Sequence, residues 1–185
     1  MTRYAVPSLG LLAALLLATP SAHALGPLDI ELGGKVGYGA QTNSGAGTGP
    51  FGFGLGARGG VAIFGLYGGL NFMYYLGGSQ NAPDGTSVSQ HSLMYGVEGG
   101  YGFKILDLLT IRGQIGLGNF TYTAASQSWN TLYVEPGITA FVSLGGFFVG
   151  ADGGILVLPG FNPSGSTLGT PGPALTVHGQ LGWKF

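Results

Sequence analysis

The sequence predicts an all-β fold, an eight-stranded antiparallel up-and-down barrel that crosses a membrane with its strands. Three observations point there. Eight segments alternate apolar and polar residues one by one, as a strand does when its two faces meet different media. The connections between them alternate long and short. Charged residues are only 7% of the 185, against about a quarter in soluble domains, and within the segments they all keep the parity opposite to the aliphatic residues.

The chain opens on Arg3, a short apolar run from Leu9 to Ala18 and the small-x-small triplet Ala22-His23-Ala24. That pattern predicts a secretory signal peptide over residues 1–24, cleaved before Leu25. The barrel then occupies 25–185 as one domain. With no cysteine, the exported chain relies on no disulfide. A helical span is a poor alternative. The one long apolar candidate, Ile138 to Leu158, is interrupted by Asp152 and five glycines and flanked by Pro136 and Pro159.

The strands are expected at Ile30–Ala40, Phe51–Ile63, Leu66–Gly77, Ser92–Lys104, Leu109–Thr123, Thr131–Ser143, Phe147–Leu158 and Ala174–Phe185. In the first, Ile30, Leu32, Val36 and Tyr38 oppose Asp29, Glu31, Lys35 and Gln41. In the second, Phe51, Phe53, Leu55, Val61 and Ile63 oppose Arg58, and in the third Leu66, Leu70, Phe72, Tyr74 and Leu76 oppose Asn71. The fourth sets Leu93, Tyr95, Val97, Tyr101 and Phe103 against Glu98 and Lys104. The fifth sets Leu109, Ile111, Ile115 and Leu117 against Arg112 and Gln114. The sixth sets Leu132, Val134, Ile138, Ala140 and Val142 against Glu135, and the seventh Val149, Ala151, Ile155 and Val157 against Asp152. In the last, Leu175, Val177, Gly179, Leu181, Trp183 and Phe185 oppose Thr176, His178, Gln180, Gly182 and Lys184.

So much apolar surface exceeds what one core of 161 residues can cover. Closing the sheet turns aliphatic residues to lipid and charges to the lumen, and removes the sheet edges. Long connections are expected at Gln41–Pro50, Gly78–His91, Ala124–Asn130 and Pro159–Pro173, and short ones near Phe64-Gly65, Ile105–Leu108 and Leu144–Gly146. Long loops outside and tight turns in the periplasm leave both termini periplasmic. The outward aromatics sort into two bands, as the two membrane interfaces favour. Tyr38, Phe51, Phe53, Tyr74 and Tyr95 lie toward the loops, and Tyr101, Phe103, Phe147, Trp183 and Phe185 toward the turns.

With this layout the chain resembles the small eight-stranded outer-membrane barrels of Gram-negative bacteria, the OmpA-domain and OmpX-like class. The resemblance covers everything after the signal segment. It is sharpest in the last strand, where Val177, Leu181, Trp183 and Phe185 look like the signal read by the barrel-assembly machinery. It implies outer-membrane lipid and that machinery as partners, a monomer, and no catalytic motif. Unlike OmpA, the sequence shows no periplasmic domain after the barrel.

Eight strands leave a lumen only just wide enough for its own side chains. Lys35, Arg58, Glu98, Glu135, Asp152 and His178 are expected near mid-height, with Arg112 and Lys104 lower. These are candidates for an ion-pair network that closes the lumen. The many inward glycines make room for large side chains opposite, or else leave a narrow polar path. Nearer the loops the inward set is apolar: Tyr75, Met94, Phe120, Tyr122, Tyr133, Leu156 and Leu158. These could line a small mouth pocket or pack over the polar layer.

Function is therefore expected to be structural or interactive in the cell envelope. The alternatives are a narrow pore or an apolar-ligand pocket, and more remotely a lipid-modifying enzyme built on His91-Ser92 beside Asp84. No metal, cofactor or nucleic acid is implied. The histidines are scattered, the glycine runs lie inside strands, and no basic stripe exists.

Overall fold

In the computed structural model, residues 28–42, 49–81, 85–105, 108–161 and 171–185 are described. The segment expected to be a signal peptide, parts of three expected long connections and Leu106-Asp107 lie outside them. The strands are β1 (Leu28–Gln41), β2 (Gly52–Ile63), β3 (Leu66–Tyr75), the short β4 (Ser79–Asn81), β5 (Ser87–Ile105), β6 (Leu109–Ala124), β7 (Gln127–Leu144), β8 (Phe147–Leu156) and β9 (Ala174–Lys184). Every pairing is antiparallel. β1 pairs with β9 and β3 with β5, so eight strands close into a barrel, while β4 pairs only with the end of β5 that rises above it.

The register fixes the shape. From Ala174 the pairing crosses to Leu156 and, along the β7–β8 ladder, to Glu135. It then passes through Gly116, Glu98, Gly69, Gly60 and Glu31 to Lys184, ten residues further along β9. Such a stagger over eight strands tilts them roughly 40° to the axis, at ~3.3 Å rise per residue and ~4.7 Å between strands.

Strand parity then sorts the residues. Leu70, Leu132, Ile138 and Val177 face outward at 67, 70, 62 and 63% exposure, while Lys35, Arg58, Glu98 and Arg112 face inward at 4% or less. On β5 the outward apolar run extends from Leu93 to Phe103, a band about 25 Å tall at this tilt, the height of a barrel's lipid-facing belt. Soluble monomers rarely leave so large an apolar patch uncovered.

Two expectations are corrected. Phe51, placed outward by parity, is fully buried inside the barrel mouth. Gly52 holds a left-handed φ of +91°, which breaks the alternation and turns Phe51 inward. Ala124–Asn130 is not a long connection. β6 and β7 run on past the belt and pair as far as Ala124↔Gln127, leaving a two-residue turn, Ala125-Ser126, with φ of +49° and +64°. Both residues have positive φ, as a tight hairpin of the twist-matching kind requires, yet neither is glycine or asparagine. Above the belt the outer face of this hairpin turns polar: Thr121 bonds Asn130 at 2.7 Å and Thr123 bonds Ser128 at 2.9 Å.

Candidate functional site: the filled lumen

The inward side chains stack in three layers. At the turn end, Arg112 grips Glu31 through two parallel hydrogen bonds of 2.9 and 2.7 Å, the bidentate geometry that makes guanidinium–carboxylate pairs strong. Beneath lie Phe141 and Phe148, ring centres 5.2 Å apart and both buried. Phe148 occupies the space left by Gly33 and Gly182, where an added Cβ would meet its ring at 3.0 and 2.8 Å. At the rim Asp29 is shared by Lys184 at 2.8 Å and by Lys104 at 3.5 Å. Lys104 is about half exposed there, so it belongs to the rim and not to the interior.

The middle layer is charged. Arg58 meets Glu98 at 2.9 Å and donates to the Gln180 side chain at 3.2 Å. Tyr67 donates its hydroxyl to the same Glu98 oxygen at 2.8 Å. Its ring lies under both guanidiniums, 4.8 Å from Arg58 and 3.9 Å from Arg112, so it links the two pairs by cation–π contact. Gly60 and Gly69 make this possible, because a Cβ on either would run into the Tyr67 ring or hydroxyl. Across the lumen, Asp152 Oδ1 takes Lys35 at 3.2 Å and His178 Nδ1 at 2.7 Å. Higher up, Glu135 accepts from Thr176 at 2.6 Å.

The third layer is apolar. Phe51, Met73, Tyr75, Met94, Phe120, Tyr122, Tyr133 and Leu156 form one buried cluster. Phe51 packs edge-on to Tyr75 at 5.7 Å and against Phe120 at 5.5 Å. Phe161, from the connection after β8, stands across Phe120 and Tyr122 at 6.4 and 6.1 Å. Leu158 and Trp129 lie against the cluster, partly buried, with Trp129 stacked on Tyr122 at 5.3 Å. The side chains singled out as a mouth pocket thus fill one another's space. Glycines again provide room: a Cβ at Gly54 would meet Tyr75 at 2.7 Å, and one at Gly118 would meet Tyr133 at 2.9 Å.

One bond joins the apolar layer to the charged one. The Tyr75 ring sits among the apolar cluster, and its hydroxyl reaches down to His178 Nε2 at 2.8 Å. Tyr75, His178, Asp152 and Lys35 therefore form a continuous chain contributed by four strands.

Sequence reading missed Tyr67, Met73, Phe141, Phe148 and Gln180 as lumen residues of consequence. Their parity is inward, but each is apolar or uncharged, and a search for charges passes over it. Arg112 pairs with Glu31 and not with a mid-height acid, a choice set by which residues the stagger brings face to face. His91 and Ser92 point to opposite faces of β5. The His91 ring lies 5.8 Å from the outward Tyr74, while the buried Ser92 hydroxyl donates to the Pro50 carbonyl at 2.8 Å. Asp84 lies outside the described residues.

No family model and no curated protein matches the chain. Solved structures do match in fold. Against the crystal structure of neisserial surface protein A the TM-score is 0.58 at 10% identity, covering 86% of this chain and 97% of that one. A major outer membrane protein from Thermus thermophilus gives 0.54 at 12%, covering 85% and 99%. The N-terminal β-barrel domain of Pseudomonas aeruginosa OprF gives 0.51 at 11%, covering 85% and 97%. The chain thus has the fold of small eight-stranded outer-membrane barrels.

Proposed function

We propose that this chain stands in the outer membrane of a Gram-negative bacterium as a closed barrel with a structural or envelope-interaction role, both termini in the periplasm. The observation that carries this reading is the division of side chains. Every charged residue among the described ones keeps the lumen parity, and the belt around the barrel is apolar from one interface to the other. Lipid suits that belt, and aromatic bands near Tyr38, Phe53, Tyr74 and Tyr95 above and Tyr101, Phe103, Phe147 and Trp183 below suit its two interfaces.

A closed lumen is favoured over a pore because two ion pairs and the Tyr67 ring fill the middle, the Arg112–Glu31 pair fills the turn end, and an aromatic cluster fills the mouth. The interacting parts are then the loops and the polar hairpin of β6 and β7, with lipid around the belt and the assembly machinery reading Val177, Leu181, Trp183 and Phe185 during biogenesis. Orientation is tested by inserting a short epitope after Gly47. Antibody labelling of intact cells is expected there. Labelling only after the outer membrane is permeabilised, with surface labelling of an epitope at Leu106-Asp107, inverts the topology.

A further inference from the structure

We infer that the outer face of β5, β6 and β7 above the belt binds the uncharged sugar headgroup of a glycolipid in the leaflet around the loop end of the barrel. The inference rests on the outer-membrane reading and gives the envelope-interaction role a class of partner.

Position comes first. Ser87, Ser89 and His91 continue the outward parity of Leu93, the top of the apolar belt on β5. At a tilt of roughly 40° each step of two residues climbs about 5 Å. His91 and Ser89 therefore stand within about 10 Å of the belt's edge, in the headgroup layer and just above it. The same parity carries Asn119, Thr121 and Thr123 up β6, beside Asn130 and Ser128 on β7. Pairing of β5 with β6 ends at Gln90↔Ala124, but β5 runs on to Ser87. Between this overhang and the Ala125-Ser126 turn lies an open cleft of about 400 Å³, lined by Ser87, Ser89, His91, Thr123 and Ser126. That volume falls in the range of small-ligand sites.

Chemistry selects the occupant. The outward side chains here are hydroxyls, amides and one imidazole, with no Asp, Glu, Lys or Arg among them. Surfaces that meet only water carry about 25–35% charged residues, so solvation alone does not account for this face. A phosphate finds no cation on it either. Among the described residues Lys35, Arg58 and Arg112 are buried in the lumen, and Lys104 and Lys184 sit on Asp29 at the turn end. Part of the face is held in place beforehand. Asn119 Nδ2 donates to Thr121 Oγ1 at 3.1 Å and to Asn130 Oδ1 at 3.3 Å, and Thr121 donates to the same Oδ1 at 2.7 Å. Outside these bonds stay Asn119 Oδ1, an acceptor, and Asn130 Nδ2, a donor. Neighbouring sugar hydroxyls, each both donor and acceptor, match such a pair, and side chains already fixed lose little freedom on binding. At the lower end of the cleft the Tyr74 and His91 rings, 5.8 Å apart, offer a flat surface to the C–H face of a sugar ring.

The test inserts the full barrel into phosphatidylcholine nanodiscs carrying a minor share of digalactosyl diacylglycerol or, separately, of phosphatidylglycerol. Mass spectrometry then measures which lipids stay with the protein on mild detergent extraction. The neutral glycolipid is expected about tenfold enriched over the bulk, what one net hydrogen bond is worth, and phosphatidylglycerol not enriched. Thr123→Val and Asn130→Leu, checked for folding by heat-modifiable mobility, should each lose most of the enrichment. Leu70→Ala, in the belt on β3, should keep it. No enrichment by a folded barrel, equal enrichment of phosphatidylglycerol, or variants that match wild type each overturn the sugar-binding face and leave the outer-membrane reading standing. Capture of free digalactose without enrichment of the lipid overturns the glycolipid as its partner. A barrel that does not insert into bilayers refutes instead the reading beneath it.

Discussion

The middle and the mouth of the lumen are closed by opposite means. In the middle, Arg58, Glu98, Lys35 and Asp152 are held by directed ion pairs, and each side chain depends on one or two named partners. In the mouth, Phe51, Met94, Phe120, Tyr133 and Leu156 are held by shape and by exclusion of water, and each depends on all its neighbours a little. The difference teaches where a single change is felt as loss of closure and where only as loss of stability. Deleting half of a buried pair leaves a charge that must find water. Deleting an apolar group leaves a cavity that stays dry.

The largest effect is expected from Arg58→Ala. Glu98 would keep only the Tyr67 hydroxyl, and breaking a buried pair costs about 3–5 kcal/mol. Urea unfolding in lipid vesicles should show that loss, together with raised conductance in bilayers. Glu98→Ala should do the same, since it leaves both Arg58 and Tyr67 without their shared acceptor. Leu156→Ala sharpens the contrast. It should cost roughly 2–4 kcal/mol as a core truncation, yet leave conductance at the parent level, because the charged layer below is intact. If Leu156→Ala conducts as well as Arg58→Ala, the mouth and not the middle is the seal.

A smaller effect separates the two faces of the same strands. Gly60→Ala pushes a methyl against the Tyr67 ring and should destabilise by about 1–3 kcal/mol, as overpacking does. Gly34→Ala points outward with nothing within 4 Å of the new carbon, and should be neutral or slightly stabilising in the same assay. Equal effects would mean that the inward glycines do not serve the large side chains beside them.

Much of this was legible in the sequence because each strand separates two media. Leu93, Tyr95 and Val97 against Glu98, or Leu175, Val177 and Leu181 against His178, state which face is which without any structure. The legibility ends where alternation ends. Phe51 obeys the period on paper and breaks it in fact, since one glycine with positive φ reverses it. The first four residues of β7, Gln127–Asn130, read as loop because Ser, Gln and Asn are frequent there, although above the belt a strand no longer needs an apolar face. Across the lumen, partners depend on the ten-residue stagger, which no local pattern encodes. Arg112 could be placed inside but not opposite Glu31, and Tyr75 could be placed in the mouth but not on His178.

The central claim is closure by the charged layer, and single-channel conductance near pH 7.5 tests it most directly. The parent barrel should show only small, rare openings, and Arg58→Ala should open often. A parent that conducts steadily, with Arg58→Ala no different, would contradict the claim and make this lumen a pore.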